Sequence, residues 1–262
     1  MVKNIIVTMA FFVTGLLARE WVETGTSRPS EPVWVVNTIS ENELEISFDL
    51  GGYFVEDLPN GKNKITFPGG VPNLEVGTPD LPKMAQSIII PDLAHMELSI
   101  VESEFVEFFM ENLISSKGNL TRNINPASVP YTFGQAYETD EFYPQDIVSM
   151  RNPYIMRTVR GQAIVFQPIQ YNPIQRTLRV YTHIKVNIQQ NGMSQINPLT
   201  RRPARNGSRE FENIYAEHFL NYSTNSRYES LGDEGPMLVV CYGEFMESMQ
   251  PFVEWKNYKG IP

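Results

Sequence analysis

The stretch Thr177-Leu-Arg-Val-Tyr-Thr-His-Ile-Lys-Val-Asn-Ile188 decides the fold class of this chain. Its even positions, from Leu178 to Ile188, are mostly apolar, whereas the positions between them are mostly polar. Because successive side chains of a strand point to opposite faces, this period of two predicts a half-buried β-strand. The preceding Tyr171-Asn-Pro173 is typical of a hairpin turn, so the strand is expected to close a hairpin.

Shorter strands separated by turn signals extend the pattern towards the N-terminus. Residues 43–50 alternate in the same way. The other predicted strands are Lys64–Phe67, Ser87–Ile90, Met96–Val101 and Gln162–Ile169. Gly51-Gly52 and Asn60-Gly61 are turn signals, and the 19 prolines and 17 glycines of the chain favour many turns. We therefore predict a mainly β protein, an antiparallel β-sandwich.

A helix and a second unit follow the predicted strands. Ser208 can cap a helix with an apolar stripe from Phe211 to Phe219, and residues 196–209 before it are interpreted as an exposed, linker-like loop. Further on, Met237–Tyr242 predicts a strand and Phe245–Lys259 a helix. One strand and one helix cannot bury a core, so we interpret them as the first βα unit of an incomplete α/β domain.

The N-terminus has the pattern of a secretory signal peptide. Lys3 supplies a positive charge, Ile5–Leu17 is an apolar run, and Ala18 is a plausible cleavage residue. The run is short for a membrane span, although a retained anchor is the alternative. The predicted organisation is a signal peptide over 1–18, a polar lead-in over 19–42, a β-sandwich over 43–227 and the incomplete unit over 228–262. Secretion is expected, with no stable membrane insertion.

Composition excludes several function classes. A net charge of −9 argues against nucleic acid or an anionic membrane as a partner. The single cysteine excludes an internal disulfide framework. His95, His183 and His218 lack metal-ligand spacing, and there is no glycine-rich phosphate loop, so no metal or other cofactor is expected.

Cys241 is the single cysteine of the chain and therefore a candidate nucleophile. A catalytic cysteine needs a base within hydrogen-bond reach and an oxyanion hole. Cys241 instead lies within the apolar run Leu238–Tyr242, which predicts a small buried hydrophobic residue. No catalytic residue is therefore predicted, and an enzyme complete in itself is disfavoured.

Two arginines lie in polar, turn-rich segments. Arg122 lies in the long connection Ser115–Pro126, and Arg227 precedes Tyr228 in the stretch that leads to the second unit. From composition alone both are solvated surface charges. An exposed arginine in a polar linker is also open to proteolysis.

Several segments from about residue 40 to the end match a known family in order: Gly77–Pro82, Ser116–Gly118 through Arg122, Asn125-Pro126, Pro130–Gln135, Phe142–Pro144, Pro153–Gln162, Gln170–Pro173, Thr177–Thr182, Asn213–Tyr215, Phe252–Asn257 and Lys259-Gly260. On these segments the chain resembles the N-terminal part of the gingipain family, the secreted cysteine endopeptidases of Bacteroidetes, and especially its arginine-specific members. Matches that keep their order over this length are more specific than a single motif.

The resemblance implies a role that composition does not show. In this family the segment after the signal peptide is an inhibitory β-sandwich prodomain that covers the active-site cleft of the catalytic domain of the same precursor and assists its folding. Arg122 occupies the position of the basic residue that enters the S1 pocket. Arg227–Tyr228 matches the bond whose cleavage releases the mature enzyme. Residues 228–262 resemble the opening of a caspase-like catalytic domain, whose catalytic His and Cys are expected further on.

One alternative remains open from the residues alone. β-Sandwiches support many unrelated functions, so a stand-alone secreted binding or adhesion module is the competing hypothesis. That hypothesis predicts no catalytic domain after the sandwich.

Overall fold

The computed structural model describes residues 19–200, 209–223 and 237–260. The strands in these ranges are β1 (Arg19–Glu23), β2 (Val33–Ser40), β3 (Glu43–Asp49), β4 (Gly52–Asp57), β5 (Asn63–Thr66), β6 (Val71–Pro72), β7 (Pro82–Ile90), β8 (Ala94–Phe109), β9 (Val148–Met150), β10 (Tyr154–Met156), β11 (Val159–Phe166), β12 (Ile169–Asn172) and β13 (Thr177–Met193). The α-helices are α1 (Arg209–His218) and α2 (Met246–Tyr258), and short 3-10 turns lie at Pro126–Ser128, Gln135–Tyr137 and Gly243–Phe245.

The strands pair antiparallel in three sheets. In the β13 sheet, β13 pairs with β8 along one edge and with β12 and β3 along the other, and β2 lies outside β3. In the β11 sheet, β11 pairs with β7 on one edge and with β9 and β10 on the other, and β6 extends from β7. In the third sheet, β4 lies between β1 and β5.

The core lies between the β13 and β11 sheets. The ring of Phe48 on β3 stacks on that of Phe166 on β11, with centroids 5.2 Å apart, and Trp34 on β2 meets both rings edge-on at 4.9 Å. The inward side chains of β13, Leu178, Val180, Ile184, Val186 and Ile188, are fully buried. Burying one such side chain contributes about 1.5–3 kcal/mol. The predicted mainly β sandwich is confirmed, and the face predicted for β13 is buried except at half-buried Thr182, where the pairing with β8 shifts register.

The polar lead-in predicted for residues 19–42 is wrong, because this segment contains β1 and β2. In β2, Trp34 and Val36 pack against the core while Val33 and Val35 are exposed. As an edge strand, β2 buries alternate side chains only in its first half. Its second half is polar and exposed, so the sequence lacks the alternation of apolar and polar residues that predicts a strand. β1 is recruited by pairing with β4 over Arg19–Glu23.

Two observed strands begin or end at residues other than those predicted. β8 runs to Phe109, eight residues beyond the predicted end, because β13 supplies a pairing partner along almost its whole length. The predicted strand Gln162–Ile169 is two strands, β11 and β12, which meet at Gln167-Pro168. Proline has no backbone N–H to donate to a ladder, so it ends the first strand.

The second unit is only partly as predicted. α2 forms where a helix is expected, but Met237–Tyr242 is not a strand. No described strand pairs with this segment, and an isolated extended segment has no ladder to stabilise it. Cys241 is therefore exposed, not buried as predicted. No helix in the described ranges is long and apolar enough to cross a membrane.

Arg160 on β11 is a buried structural residue with no local signal in the sequence. Its side chain is fully buried, and its guanidinium donates to the carbonyl oxygens of Pro91, Ala94, Ile196 and Asn197 at 2.7–3.0 Å. Burial lowers the pKa of this group, because desolvation disfavours its charged form.

Arg160 thereby fixes the start of the segment predicted to be an exposed linker. Ile196 and Asn197 accept its hydrogen bonds, and the side chain of Leu199 is buried. The N–H of Leu199 also donates to the Asp92 carbonyl at 2.9 Å. Within the predicted loop the Leu199 side chain is buried, whereas those of Ile196, Asn197 and Thr200 are exposed, and residues 201–208 lie outside the described ranges.

Candidate functional site

Arg122 lies on a long connection between β8 and β9, as the sequence predicts. We call residues 117–133 the Arg122 loop. The segment before it is buried at Leu113, Ile114, Ser115 and Ser116. Short bridges pair Leu113 with Asn63 and Ser115 with Pro79. The chain therefore enters the loop from the body of the sandwich.

Backbone hydrogen bonds close the base of the loop around Gly77. The N–H of Gly77 donates to the Ser116 carbonyl at 3.0 Å, and the carbonyl of Gly77 accepts from the N–H of Gly134 at 2.9 Å. Gly77 thus joins the residues that immediately precede and follow the loop. Its φ of +81° favours glycine, and a Cβ there would lie 3.2 Å from the Gly134 nitrogen.

A polar network supports the segment that carries Gly77. The Tyr143 hydroxyl donates to the Glu75 carboxylate at 3.0 Å and accepts from the Asn73 amide, whose oxygen accepts from the Lys83 ammonium at 3.2 Å. Burial, and to a lesser degree the hydrogen bond to Glu75, raises the pKa of Tyr143 to about 12. The hydroxyl is therefore neutral at physiological pH and able to donate.

Arg122 is at the tip of the loop. The N–H of Ile124 donates to the Thr121 carbonyl at 3.0 Å, so Arg122 and Asn123 are the central residues of a tight turn. The Arg122 side chain is exposed. Within residues 19–200, 209–223 and 237–260, its guanidinium has no hydrogen-bond or ion-pair partner at the distances expected for such contacts.

The return arm of the loop has its own local structure. The Asn125 side chain accepts from the N–H of Ala127 at 3.0 Å and caps the 3-10 turn Pro126–Ser128. The Lys117 ammonium on the outgoing arm donates to the Pro126 carbonyl at 2.7 Å and lies 4.1 Å from the centroid of the Tyr131 ring. The two arms are therefore joined above the base at Gly77.

Large apolar side chains are exposed on and beside the loop. Ile124 and Phe133 belong to the loop, while Leu74 and Val76 lie next to Gly118 at its outgoing end. An exposed arginine on a loop that also carries exposed apolar groups has the composition of a protein-binding surface, in which arginine and large apolar residues make the strongest contacts. Chemically, the loop can offer a cation to a carboxylate in a partner's pocket.

The His183 and His218 rings each contact a polar side chain of the sandwich. No group of three or more His, Cys, Asp or Glu side chains in the described part of the chain is placed to hold a metal ion. The His183 ring instead contacts the Asp49 carboxylate at 2.6 Å, and the His218 ring contacts the Tyr154 hydroxyl at 2.7 Å.

The exit from the sandwich towards the predicted cleavage site is anchored by α1 and the residues after it. Tyr215 and Phe219 are buried, and the Leu220 N–H donates to the Ser87 carbonyl on β7 at 2.9 Å. The Asn221 amide donates to the Ile89 carbonyl at 2.8 Å and accepts from the Ile89 N–H at 2.7 Å. Arg227 and Tyr228 lie six and seven residues further on, and, like Ala18 and Ser208, they are outside the described residues.

Replacing Asn221 with alanine should lower the free energy of unfolding by about 1–3 kcal/mol, because the N–H and carbonyl of Ile89 lose their partner on this edge of β7. Urea unfolding measures this difference. Asn152→Ala is the control, since Asn152 is exposed. Equal effects of the two substitutions, or no loss of hydrogen-exchange protection at Ile89, would contradict the anchoring role.

Comparison with known proteins gives a consistent result. Residues 49–228 match the family model described as Propeptide_C25. Gingipain R2 of Porphyromonas gingivalis strain W83 is 36% identical over 200 residues, which cover 75% of this chain and 27% of that protein. Gingipain R1 of P. gingivalis is 34% identical over 225 residues, covering 85% of this chain and 22% of that protein. The chain thus spans about a quarter of the length of these curated relatives.

A solved structure shares the fold. It is described as a complex of the pro- and mature domains of P. gingivalis RgpB, and its matching chain is 31% identical to this one with a TM-score of 0.63. The alignment covers 72% of this chain and 98% of that chain. Nearly all of the matching chain therefore has a counterpart in this one.

Proposed function

This chain belongs to the Propeptide_C25 family, and we propose on that premise that it is the inhibitory prodomain region of a secreted, gingipain-like cysteine protease precursor. Its partner is the catalytic domain of the same precursor. The sandwich covers the active-site cleft of that domain, presents Arg122 to its S1 pocket and assists its folding. The prodomain itself has no peptidase activity, since the catalytic His and Cys belong to the partner domain.

The observation that carries this proposal is the position of Arg122. Its side chain is exposed at the tip of a turn, on a loop whose two ends are joined through Gly77. A loop of this form loses little conformational freedom on binding, so more of the contact energy remains as affinity. A guanidinium also matches a carboxylate with two parallel hydrogen bonds, which suits an S1 pocket specific for arginine.

The experiment that tests the proposal is an inhibition titration. Addition of the chain to the catalytic domain of its precursor should inhibit cleavage of a small arginyl substrate, and the inhibition should be competitive because the two arginines use one pocket. Binding without inhibition, or inhibition that is not relieved by substrate, would contradict the proposal. Absence of binding would favour the stand-alone binding module.

We also propose that the bond between Arg227 and Tyr228 is the one cleaved on activation. Among the described residues before it, Asn221 is the last one hydrogen-bonded to a strand, and six extended residues reach about 20 Å from that point. N-terminal sequencing of the mature enzyme should therefore begin at Tyr228, and Arg227→Gln should block its release. Arg205→Gln is the matched control and should leave release unchanged. A mature N-terminus after Arg202, Arg205 or Arg209 would place the junction upstream.

A further inference from the structure

We infer that Lys117 is a positioning residue that closes the stem of the Arg122 loop and thereby delays hydrolysis of the bond between Arg122 and Asn123. This inference rests on the proposed function, because it requires Arg122 to occupy the S1 pocket. An arginine in that pocket is a substrate as well as an inhibitor, so some feature of the loop has to keep the chain from being consumed.

The contacts of Lys117 tie the two arms of the loop together. Its ammonium donates to the Pro126 carbonyl at 2.7 Å and lies 4.1 Å from the centre of the Tyr131 ring. Residues 118–125, which include Arg122, are thereby enclosed between Lys117 and Pro126. Lys117 is half-buried as a residue, its hydrogen bond to Pro126 is exposed, and the ring contact with Tyr131 adds a second attachment to the return arm.

A second closure lies beneath the first. Ser116, Gly77 and Gly134 form a continuous run of backbone hydrogen bonds at 2.9–3.0 Å across the base of the loop. This lower closure holds residues 116 and 134 but leaves the upper arms unrestrained. Lys117 supplies the upper restraint, closer to the turn that carries Arg122.

The chemistry of hydrolysis explains why such a restraint matters. The thiolate of the catalytic domain attacks the Arg122 carbonyl carbon, the bond to the Asn123 nitrogen breaks, and that nitrogen takes a proton and leaves as an amine. Water then has to attack the thioester to release the Arg122 carboxylate. While Lys117 holds Pro126, the Asn123 amine stays close to the thioester, and its return to the carbonyl competes with water.

The test measures cleavage after Arg122. The full chain, wild type or Lys117→Met, is incubated with the catalytic domain of its precursor, and the new N-terminus at Asn123 is followed with time. We expect cleavage to be about ten- to a hundredfold faster for Lys117→Met, which is the factor that one charge-assisted hydrogen bond supplies. Lys117→Arg should restore slow cleavage, because it keeps a cationic donor.

The controls separate this role from a loss of stability. Lys185→Met removes a lysine that pairs with Glu45 on the β13 sheet and should leave cleavage unchanged. Tyr131→Leu removes only the ring beneath the ammonium and should accelerate cleavage by a smaller factor. Urea midpoints of these variants should match that of the wild type, so that faster cleavage cannot be ascribed to unfolding.

The outcomes distinguish the inference from the function on which it rests. If Arg122→Ala weakens inhibition but Lys117→Met and Tyr131→Leu are cut at the wild-type rate, the role of Lys117 is overturned and the proposed function stands. If Arg122→Ala inhibits as well as the wild type, the proposed function fails whatever Lys117 does. Accelerated cleavage at Asn123 that Lys117→Arg reverses supports both.

Discussion

Replacing Arg122 with alanine should weaken inhibition of the catalytic domain by about thirty- to several-thousand-fold, which corresponds to roughly 2–5 kcal/mol. The substitution leaves the carboxylate of the S1 pocket buried without its cation, and most of the penalty arises there. The loop itself should be unaffected, because the Arg122 side chain is exposed and its turn is held by backbone atoms of Thr121 and Ile124.

Measured inhibition constants of matched variants test this effect. Arg28→Ala is the control, because it removes another exposed arginine and makes the same change in net charge away from the Arg122 loop. It should change the inhibition constant little. Arg122→Lys keeps the charge but cannot form two parallel hydrogen bonds with a carboxylate. Its inhibition constant should therefore lie between those of the wild type and Arg122→Ala. Equal inhibition by the wild type and Arg122→Ala would exclude Arg122 from the pocket.

Replacing Arg160 with methionine should lower the free energy of unfolding by about 4 kcal/mol, the largest stability effect we expect for a polar side chain of the sandwich. Methionine approximates the volume but leaves the carbonyls of Pro91, Ala94, Ile196 and Asn197 without their donors. Each buried carbonyl left unpaired costs about 1–3 kcal/mol, and entry of water offsets part of the sum.

Urea unfolding of the full chain measures the effect of Arg160→Met, with Arg151→Ala as the control. Arg151 is exposed and should change stability by less than about 0.5 kcal/mol. The free energy of unfolding of Arg160→Lys should lie between those of the wild type and Arg160→Met. An ammonium supplies three donors from a single atom and cannot reach four carbonyls on two segments. A loss below about 1 kcal/mol for Arg160→Met would show that these hydrogen bonds are readily replaced.

The elements predictable from sequence are those whose burial is periodic. β3 and the first part of β13 each place alternate apolar residues in the core, and the observed strands agree with the predicted ones within a few residues. β2 and the second half of β8 lack this signal, because each is exposed over much of its length and owes its conformation to pairing. Pairing depends on the partner strand, which local sequence does not reveal.

The same distinction applies at the site. That Arg122 lies in an exposed loop follows from the polar residues around it, whereas the role proposed for it rests on resemblance to a family. The closure at Gly77 and the contacts of Lys117 join residues distant in sequence or lying on opposite arms of the loop, so neither has a local signal. The burial of Arg160 also has no local signal. An arginine in a strand is ordinarily predicted to be exposed, and only the surrounding carbonyls make its burial possible.

The most direct test of the central claim is a structure of this chain bound to the catalytic domain of its precursor. The account predicts the Arg122 guanidinium inside the S1 pocket, with its nitrogens about 2.7–2.9 Å from the oxygens of a buried carboxylate. A complex in which that guanidinium is surrounded by bulk water and lies away from the cleft would contradict the account.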